Sequence, residues 1–454
     1  MSVLAPDLSV LAPEVDLARR LSPMRVRGVA SAVRGMTVLA EELPAPVGSL
    51  VRVGEGDGAL GEIVGFSRGS AIIMMLGGTP PIRPGERVEA LQSSPIAMVG
   101  ASMLGRVVDA LGRPIDGKGP LRELSPREVQ PPPLSAMNRA RITKQLKTGV
   151  RAIDLMTPLG RGQRIGLFAG PGVGKSTLLS QIARGASSDA NVIGLIGERG
   201  REVKDFIADA LGEEGLARSV VVVATGDESP LMRVRASKLA CTIGEHLRDR
   251  GRDVLLMIDS VTRLAHAQRQ IGLSVGEPPA TRGYTPSVFA QMAVLLERAG
   301  LVETGGSITG LYTVLVEGDD MSEPVADAAR GILDGHIMLS RRLAQRAHYP
   351  AIDVLDSVSR VADDVTTPEM QHARRTASRL LAVYRDVEDL VQIGAYAKGS
   401  SAESDAAIEL QRAVNDILRQ GGGDKTTPES AAKEFLRVTR EFSERCGRAG
   451  GKKG

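Results

Sequence analysis

The chain of 454 residues is poor in aromatic side chains, with no tryptophan, 5 tyrosines and 6 phenylalanines. Proteins that bind single-stranded nucleic acid stack the bases on such side chains, so this scarcity argues against that function. The 57 Lys and Arg residues nearly cancel the 54 Asp and Glu residues, which leaves a net charge of +3. A charge this small excludes a chain-wide field built to hold nucleic acid, so we expect no nucleic-acid partner.

Cysteine pairs and long apolar runs are also lacking. Cys241 and Cys446 are far apart and fit no metal-binding spacing, as expected of a chain in a reducing compartment. The first residues include Asp7, Glu14 and Asp16 and have no signal-peptide layout. No run is apolar over the roughly 20 residues that a membrane helix needs. We therefore expect a cytoplasmic protein, and leave open a peripheral association with the inner face of the cell membrane.

The sequence contains four successive segments. Residues 1–25 are expected to form an N-terminal arm that includes Arg19 and Arg20. Residues 26–97 contain short runs of β-forming residues separated by glycine and proline, which predict a small β-barrel. These runs are at 37–39, 50–53, 61–66 and 71–75.

Residues 98–367 have a different pattern, in which apolar runs of strand length alternate with amphipathic segments of helix length. Strands that are apolar throughout indicate a parallel sheet with both faces covered, and so an α/β core. The runs are at 164–169, 192–197, 220–224, 254–258 and 311–316. Beyond 368 the strand pattern fades, and residues 368–454 predict a small helical domain with a basic tail.

A phosphate-binding loop is predicted after the run that ends at Ala169. The order strand, glycine-rich loop and helix is what a nucleotide phosphate cradle requires. Lys175 would bridge the β- and γ-phosphates, and Ser176 would offer its hydroxyl to Mg²⁺, which makes ATP and Mg²⁺ the expected cofactors. The strict motif begins with glycine, and here Ala169 stands at that position. The residues expected to bind the nucleotide are Gly170, Pro171, Gly172, Val173, Gly174, Lys175, Ser176 and Thr177.

Two acidic residues follow predicted strands of the same sheet. Asp259 ends the run at 254–258, as the second Mg²⁺-holding residue of P-loop enzymes does, although an aspartate there could instead cap the next helix. Glu198 follows the run at 192–197 and could act on a water in line with the γ-phosphate. An ion pair of Glu198 with Arg199 or Arg201 is its alternative role, and Glu202 is the second candidate base.

Several longer motifs together resemble those of rotary ATP synthase subunits and type III secretion ATPases. The approach to the nucleotide site contains Leu104-Gly-Arg-Val-Val-Asp-Ala-Leu-Gly-Arg-Pro-Ile-Asp-Gly117 and Thr148-Gly-Val-Arg-Ala-Ile-Asp154. Gly197-Glu-Arg-Gly-Arg-Glu202 narrows the resemblance to the type III secretion ATPases. Within that group, three segments are most similar to the flagellar protein export ATPases: Ala267-Gln-Arg-Gln-Ile271, Gly276-Glu-Pro-Pro-Ala-Thr281 and Ile393-Gly-Ala-Tyr-Ala-Lys-Gly-Ser400. The resemblance covers about residues 100 to 400.

The resemblance implies a RecA-like fold, a homohexamer and nucleotide sites at the subunit interfaces. By this similarity, Glu198 positions the attacking water, Arg199 and Arg263 lie near the γ-phosphate, and Tyr349 packs against adenine. Arg360 would reach into the neighbouring subunit's site. The implied partners are a regulatory stalk protein, a central stalk-like protein, the export gate, and export substrates with their chaperones. Tyr349 as a packed core aromatic and Arg360 as an intrachain salt bridge are the alternatives.

The predicted function is therefore ATP hydrolysis that drives or assists flagellar protein export. An injectisome secretion ATPase uses the same chemistry and stays open, as does a catalytic ATP synthase subunit running in reverse. An RNA translocase would need aromatic residues on its barrel, where residues 26–95 offer only Phe66. A nucleotide-binding ring subunit that does not hydrolyse ATP is a further alternative. It would have no need of Glu198 or Arg360.

Overall fold

The computed structural model describes residues 25–78, 81–92, 94–303, 305–316, 318, 320–421, 424 and 426–450. Most of the predicted N-terminal arm, including Arg19 and Arg20, lies outside these residues. The chain forms two compact units, residues 1–95 and 96–454. Within the described residues, no helix combines the length and the apolar composition that a membrane span requires.

The first unit contains a closed β-barrel with the strand order β1-β2-β5-β4-β3-β6. Its interior consists of alternate side chains, because successive residues of a strand face opposite sides. On β3, for example, Val51 and Val53 are buried while Leu50 and Arg52 are partly exposed. The strands are β1 (Arg27–Arg34), β2 (Thr37–Glu41), β3 (Leu50–Val53), β4 (Ala59–Ser67), β5 (Ser70–Met75) and β6 (Arg87–Gln92). The predicted barrel is therefore confirmed, and β1 and β6 add to the four runs read from the sequence.

The second unit begins with strands and short helices that lead to the phosphate loop. The strands are β7 (Ile96–Val99), β8 (Arg106–Asp109), β9 (Ser125–Glu128), β10 (Gln145–Leu146), β11 (Leu159–Gly160) and β12 (Arg164–Ala169). The first α-helices are α1 (Arg151–Met156) and α2 (Lys175–Gly185), the latter directly after the loop.

The rest of the α/β core alternates strands and helices along the chain. The strands are β13 (Ala190–Ile196), β14 (Ser219–Ala224), β15 (Asp253–Asp259), β16 (Gly300–Leu301), β17 (Ser307–Leu315), β18 (Gly335–Leu339) and β19 (Ile352–Ser359). The helices are α3 (Gly200–Asp205), α4 (Gly212–Ala217), α5 (Pro230–Arg248), α6 (Val261–Ser274), α7 (Pro286–Leu296), α8 (Pro324–Ile332) and α9 (Arg341–Gln345). A π-helical turn, Phe206–Leu211, joins α3 to α4.

The central sheet has the strand order β19-β18-β12-β17-β15-β13-β14-β8. Strands β12, β13, β14, β15 and β17 match the five predicted runs, and their ladders are parallel as expected. The sheet also contains β8, β18 and β19, which the apolar pattern did not predict. The edge strand β19 is antiparallel to β18 and only partly buried, so its residues do not form a continuous apolar run. This edge makes the sheet mixed rather than wholly parallel.

The C-terminal region consists of the helices α10 (Pro368–Gln392), α11 (Ala402–Leu418) and α12 (Pro428–Gly450). Each is amphipathic, and its buried face contributes to a core shared with the phosphate-loop helix. Leu178 of α2, Ala377 of α10, Leu410 of α11 and Phe435 of α12 belong to one hydrophobic cluster. The predicted helical region is thus confirmed, and its packing ties it to the part of the sheet that carries the phosphate loop.

Candidate functional site: a phosphate loop at the carboxyl edge of the sheet

The phosphate loop turns sharply between β12 and α2. Gly172 and Gly174 have φ angles of 76° and 91°, in the left-handed region that glycine adopts without strain. This turn brings Lys175 to the first position of α2, where backbone N–H groups and the helix dipole favour an anion. The apolar member of the loop, Val173, is buried and anchors it to the core.

Four of the other predicted residues of the loop are exposed to solvent. Pro171 and Gly172 are exposed, as are Ser176 and Thr177 in the first turn of α2, while Gly170 is the buried start of the loop. Solvent-facing hydroxyls at the start of a helix are available to a bound phosphate and its cation. These four residues are therefore accessible to a ligand, and the binding roles of the whole predicted set stay a prediction.

Lys175, Glu198 and Asp259 meet at the carboxyl edge of the sheet. The Lys175 ammonium Nζ lies 2.5 Å from Oδ1 of Asp259 and 3.3 Å from Oε1 of Glu198. The sheet brings them together because β13 and β15 are parallel neighbours, with Leu195 paired to Asp259. The alternative partner of Glu198 is not observed, since Arg199 pairs with Glu202 and Arg201 with Asp205.

Burial and charge shift the pKa values of this cluster. Burial raises the pKa of Glu198, the positive charge of Lys175 opposes that rise, and the nearby Asp259 and Glu202 add to it, so the net shift is upwards. For Lys175, burial by itself would lower the pKa, but the charges of Asp259 and Glu198 outweigh it and the pKa is raised. Lys175 is thus held as a cation, while Glu198 is easier to protonate than an ordinary glutamate.

Asp259 is fixed by a residue for which the sequence indicated no role. The hydroxyl of Thr313 on β17 donates a hydrogen bond of 2.6 Å to Oδ1 of Asp259. The helix-capping alternative for Asp259 is not observed, because Ser260 caps α6 through the backbone N–H of Arg263. The sequence signal for Thr313 was that it is a polar residue inside the apolar run of β17. That signal does not point to Asp259 unless β17 is known to lie beside β15.

The two predicted arginines of this edge differ in their surroundings. Arg199 is 85% exposed at its side chain and is available to a ligand or to another subunit. Arg263 lies against Gly197, whose φ of 73° and missing Cβ make room for it, since a Cβ there would approach the Cβ of Arg263 to 2.9 Å. Its Nε is buried and meets no hydrogen-bond acceptor among the residues that the structure describes. An unsatisfied cationic donor at this place suits an anionic ligand.

Tyr349 lies beside the phosphate loop. Its ring carbon Cε1 is 3.6 Å from the position that a Cβ of Gly174 would occupy, and the residue is 46% exposed. The core-packing alternative therefore does not describe this residue. Its backbone carbonyl accepts a hydrogen bond of 2.9 Å from the N–H of Gln420, which follows α11. An exposed flat ring next to a phosphate loop is suited to stacking on a nucleotide base.

Arg360 is the one predicted site residue that the structure does not bring to this edge. Its backbone N–H donates to the carbonyl of Asp334, whose own N–H donates to the carbonyl of Arg164 at the start of β12. The phosphate loop begins after Ala169, five residues further along β12, which is roughly 16 Å at the usual rise of a strand. The side chain is exposed, and no ion pair of its guanidinium is found in the described part of the chain.

The residues present fit an Mg²⁺ ion that arrives with a nucleotide. Within the described residues there is no cluster of three or more His, Cys, Asp or Glu side chains that could hold a metal without a ligand. Mg²⁺ rarely uses such a cluster and is usually bound by one or two carboxylates together with substrate phosphates. Asp259 supplies a carboxylate of this type beside Lys175, and the exposed Ser176 supplies a hydroxyl oxygen from the next position of the loop.

The fold and this edge of the sheet define a RecA-like P-loop nucleotide-binding core. The family model for the ATP synthase alpha/beta nucleotide-binding domain matches residues 149–359, and the model for the beta-barrel domain of the same family matches residues 30–92. Residues 366–437 match the model for the C-terminal domain of the type III secretion ATPase EscN.

Curated relatives cover nearly the whole chain. The flagellum-specific ATP synthase of Treponema pallidum is 50% identical over 410 residues, which are 90% of this chain and 92% of that protein. The flagellum-specific ATP synthase of Bacillus subtilis is 48% identical over 83% of this chain and 86% of its own length. The type 3 secretion system ATPase of Xanthomonas euvesicatoria is 45% identical over 94% of this chain and 98% of its own length.

The solved structure of the assembled ATPase EscN from the enteropathogenic E. coli type III secretion system is also similar. It superposes with a TM-score of 0.86 and 39% identity, over 91% of this chain and all of that chain. EscN in complex with its central stalk EscO gives a TM-score of 0.84 at the same identity. The chain belongs to the family of flagellum-specific ATP synthases and type 3 secretion system ATPases, and it is an ATPase.

Proposed function

We propose that this protein hydrolyses ATP, with Mg²⁺, in a homohexameric ring, and that hydrolysis drives or assists the export of flagellar proteins. The observation that carries the proposal is the division of the site residues between two edges of one sheet. Lys175, Glu198 and Asp259 lie together at the carboxyl edge, and Arg360 lies at the opposite edge.

Each residue of the carboxyl edge has a distinct part in the proposed reaction. Lys175 neutralises charge on the β- and γ-phosphate oxygens, and the exposed hydroxyl of Ser176 and the carboxylate of Asp259 would hold Mg²⁺. That ion would supply Lewis-acid stabilisation of the charge on the phosphate oxygens. Glu198 accepts the proton of the attacking water, and its raised pKa brings it closer to the working pH than that of an ordinary glutamate.

Arg360 completes the proposed site from the next subunit. A head-to-tail arrangement places the carboxyl edge of one copy against the opposite edge of another, and such an interface closes into a ring when the rotation between copies allows it. An exposed guanidinium that reaches a γ-phosphate across the interface would act as an arginine finger. The assembled state named for EscN, which shares this fold, supports a ring.

The export function rests on family membership. The flagellum-specific relatives named above reach 50% identity, against 45% for the type 3 secretion system ATPase from Xanthomonas. We further propose a central stalk-like partner for this chain, supported by the complex of EscN with EscO. A regulatory stalk protein, an export gate, chaperoned substrates and a peripheral position at the membrane complete the proposal.

The ATPase activity should depend on assembly. Steady-state hydrolysis is measured with Mg²⁺ over a range of protein concentrations, while the particle mass is followed in parallel. Specific activity that rises as the hexamer forms supports the ring. Constant specific activity in a monomer contradicts it, because a single copy has no Arg360 near its own phosphate loop.

The export function has a separate test in a flagellated relative. The chain replaces the flagellum-specific ATP synthase of Bacillus subtilis, and motility and secreted flagellin are measured. Restored export by the native chain, and none by Lys175→Ala, supports the proposal. If an actively hydrolysing chain at a normal level restores nothing in this host, the flagellar assignment loses its support while the ATPase assignment stands.

A further inference from the structure

The hydrogen bond from Thr313 to Asp259 involves a residue for which the sequence indicated no role. Strands β15 and β17 are parallel neighbours with Ile258 paired to Tyr312, so the next residues, Asp259 and Thr313, lie side by side. Thr313 is completely buried. Its hydroxyl has one proton and two acceptors in range, Oδ1 of Asp259 at 2.6 Å and the carbonyl of Ile258 at 3.3 Å. The shorter contact makes the carboxylate the acceptor.

The two donors to this carboxylate converge on one oxygen. Lys175 Nζ and the Thr313 hydroxyl both contact Oδ1 of Asp259. Two donors on the same oxygen fix the rotation of the carboxylate, so the direction of Oδ2 is set before any ligand binds. The Lys175 ammonium ends a flexible side chain that must also contact the phosphates, whereas Thr313 is held in place by the pairing of its strand. The Thr313 hydroxyl is therefore the donor that stays on the Asp259 carboxylate when Lys175 moves.

We propose that Thr313 is a positioning residue that orients the Asp259 carboxylate towards nucleotide-bound Mg²⁺. The inference rests on the proposed role of Asp259 and extends it to a residue on a different strand. Groups that orient the ligands of a metal commonly change metal affinity or activity by about 10- to 100-fold when they are removed. The effect of Thr313 should thus appear in the Mg²⁺ dependence of nucleotide binding, and not in binding as such.

The test compares the affinity for a fluorescent ATP analogue with Mg²⁺ and with a chelator. Thr313→Val has the shape of threonine without its hydroxyl, and Thr313→Ser keeps the hydroxyl. The Mg²⁺ gain is the ratio of the affinity with Mg²⁺ to the affinity in chelator. We expect this gain to be smaller by about tenfold or more in Thr313→Val than in the native protein. Thr313→Ser should keep that gain, and the affinity in chelator should change little in either variant.

Thr309→Val is the matched control, because Thr309 is buried on the same strand and its hydroxyl accepts a hydrogen bond from Gly162 at the far edge of the sheet. It should leave the Mg²⁺ gain intact. Thermal unfolding is measured for each variant, and Thr313→Ala serves if the valine variant does not fold. A full Mg²⁺ gain in Thr313→Val or Thr313→Ala overturns the inference about Thr313 alone. A native protein in which Mg²⁺ improves neither binding nor hydrolysis overturns the proposed function itself.

Discussion

The two edges of the central sheet are built for different tasks. At the carboxyl edge, three ionisable side chains from three elements meet within hydrogen-bond distance, and the glycine-rich loop wraps around the place where phosphates would lie. At the opposite edge, Arg360 is exposed, and backbone hydrogen bonds through Asp334 connect it to the first residue of β12. In the proposed mechanism, the carboxyl edge supplies the phosphate cradle, the cation and the base, and the arginine finger is Arg360 at the opposite edge.

If Arg360 is that finger, one copy of the chain holds the parts of two half-sites rather than one whole site. Arg360 directly follows β19, and the pairing of β19 with β18 holds it at this edge. Arg360 therefore cannot approach its own phosphate loop without breaking that pairing. A second copy can bring its Arg360 to that loop without any change of fold. The proposed mechanism thus requires an oligomer, and the predictions below alter one edge at a time.

The largest effect is expected at the edge remote from the phosphate loop. Arg360→Ala should lower kcat by about 10³ or more, because an arginine finger stabilises charge that develops only in the transition state. Arg360→Lys should recover little, since an ammonium cannot donate two hydrogen bonds in the fixed plane of a guanidinium. Steady-state ATPase assays provide the measurement.

Arg437→Ala is the control for this loss, because Arg437 is an exposed arginine whose partners, Glu434 and Glu441, are on its own helix. It should leave kcat unchanged. An Arg360→Ala variant that hydrolyses ATP at the native rate would show that the edge remote from the phosphate loop contributes nothing to hydrolysis through Arg360.

At the carboxyl edge, Glu198→Gln should lower kcat by about 10² or more while nucleotide affinity stays close to native, because the amide cannot accept the proton of the attacking water. Single-turnover hydrolysis and equilibrium binding separate the two quantities. Glu213→Gln, at an exposed position of α4, is the control. If kcat falls in Glu202→Gln and stays native in Glu198→Gln, the base is Glu202.

A smaller effect is expected at the rim of the same edge. Tyr349→Ala should raise KM for ATP about tenfold with little change in kcat, since stacking on a base contributes about 1–3 kcal/mol to binding. Tyr349→Phe keeps the ring and should bind as the native chain does. A native KM in Tyr349→Ala would place the adenine elsewhere.

The smallest expected change concerns pH. Because the pKa of Glu198 is raised, the base becomes protonated at a higher pH than an ordinary glutamate, and kcat/KM should fall on the acidic side at correspondingly higher pH. The nearby Glu202 adds to that rise, so Glu202→Gln should move the acidic limb to lower pH. A limb that does not move in this variant would show that another group controls it.

The sequence predicted what depends on local spacing. Strand, glycine loop and helix follow one another in the chain, so the cradle from Gly170 to Thr177 could be located without knowing the fold. Glu198 and Asp259 were found because each ends an apolar run, and parallel strands deliver their carboxyl ends to one edge.

Other features depend on pairing between strands that are distant in the chain. The contact of Thr313 with Asp259 needs β17 beside β15, and the place of Arg360 needs β19 antiparallel at the sheet edge. The short or partly exposed strands β8, β18 and β19 carry too little periodic apolar sequence to be recognised. Register between distant strands is decided by tertiary packing, which a linear pattern does not record.

The most direct test of a site shared between copies is to mix two inactive variants. Lys175→Ala chains keep Arg360 and Arg360→Ala chains keep the phosphate loop, so about a quarter of the interfaces in randomly mixed rings contain both intact edges. The account predicts that ATPase activity partly returns on mixing. Lys175→Ala mixed with Glu198→Gln should stay inactive, because both changes lie at the same edge. No recovery in the first mixture, although mixed rings form, would contradict the assignment of Arg360 to the neighbouring site.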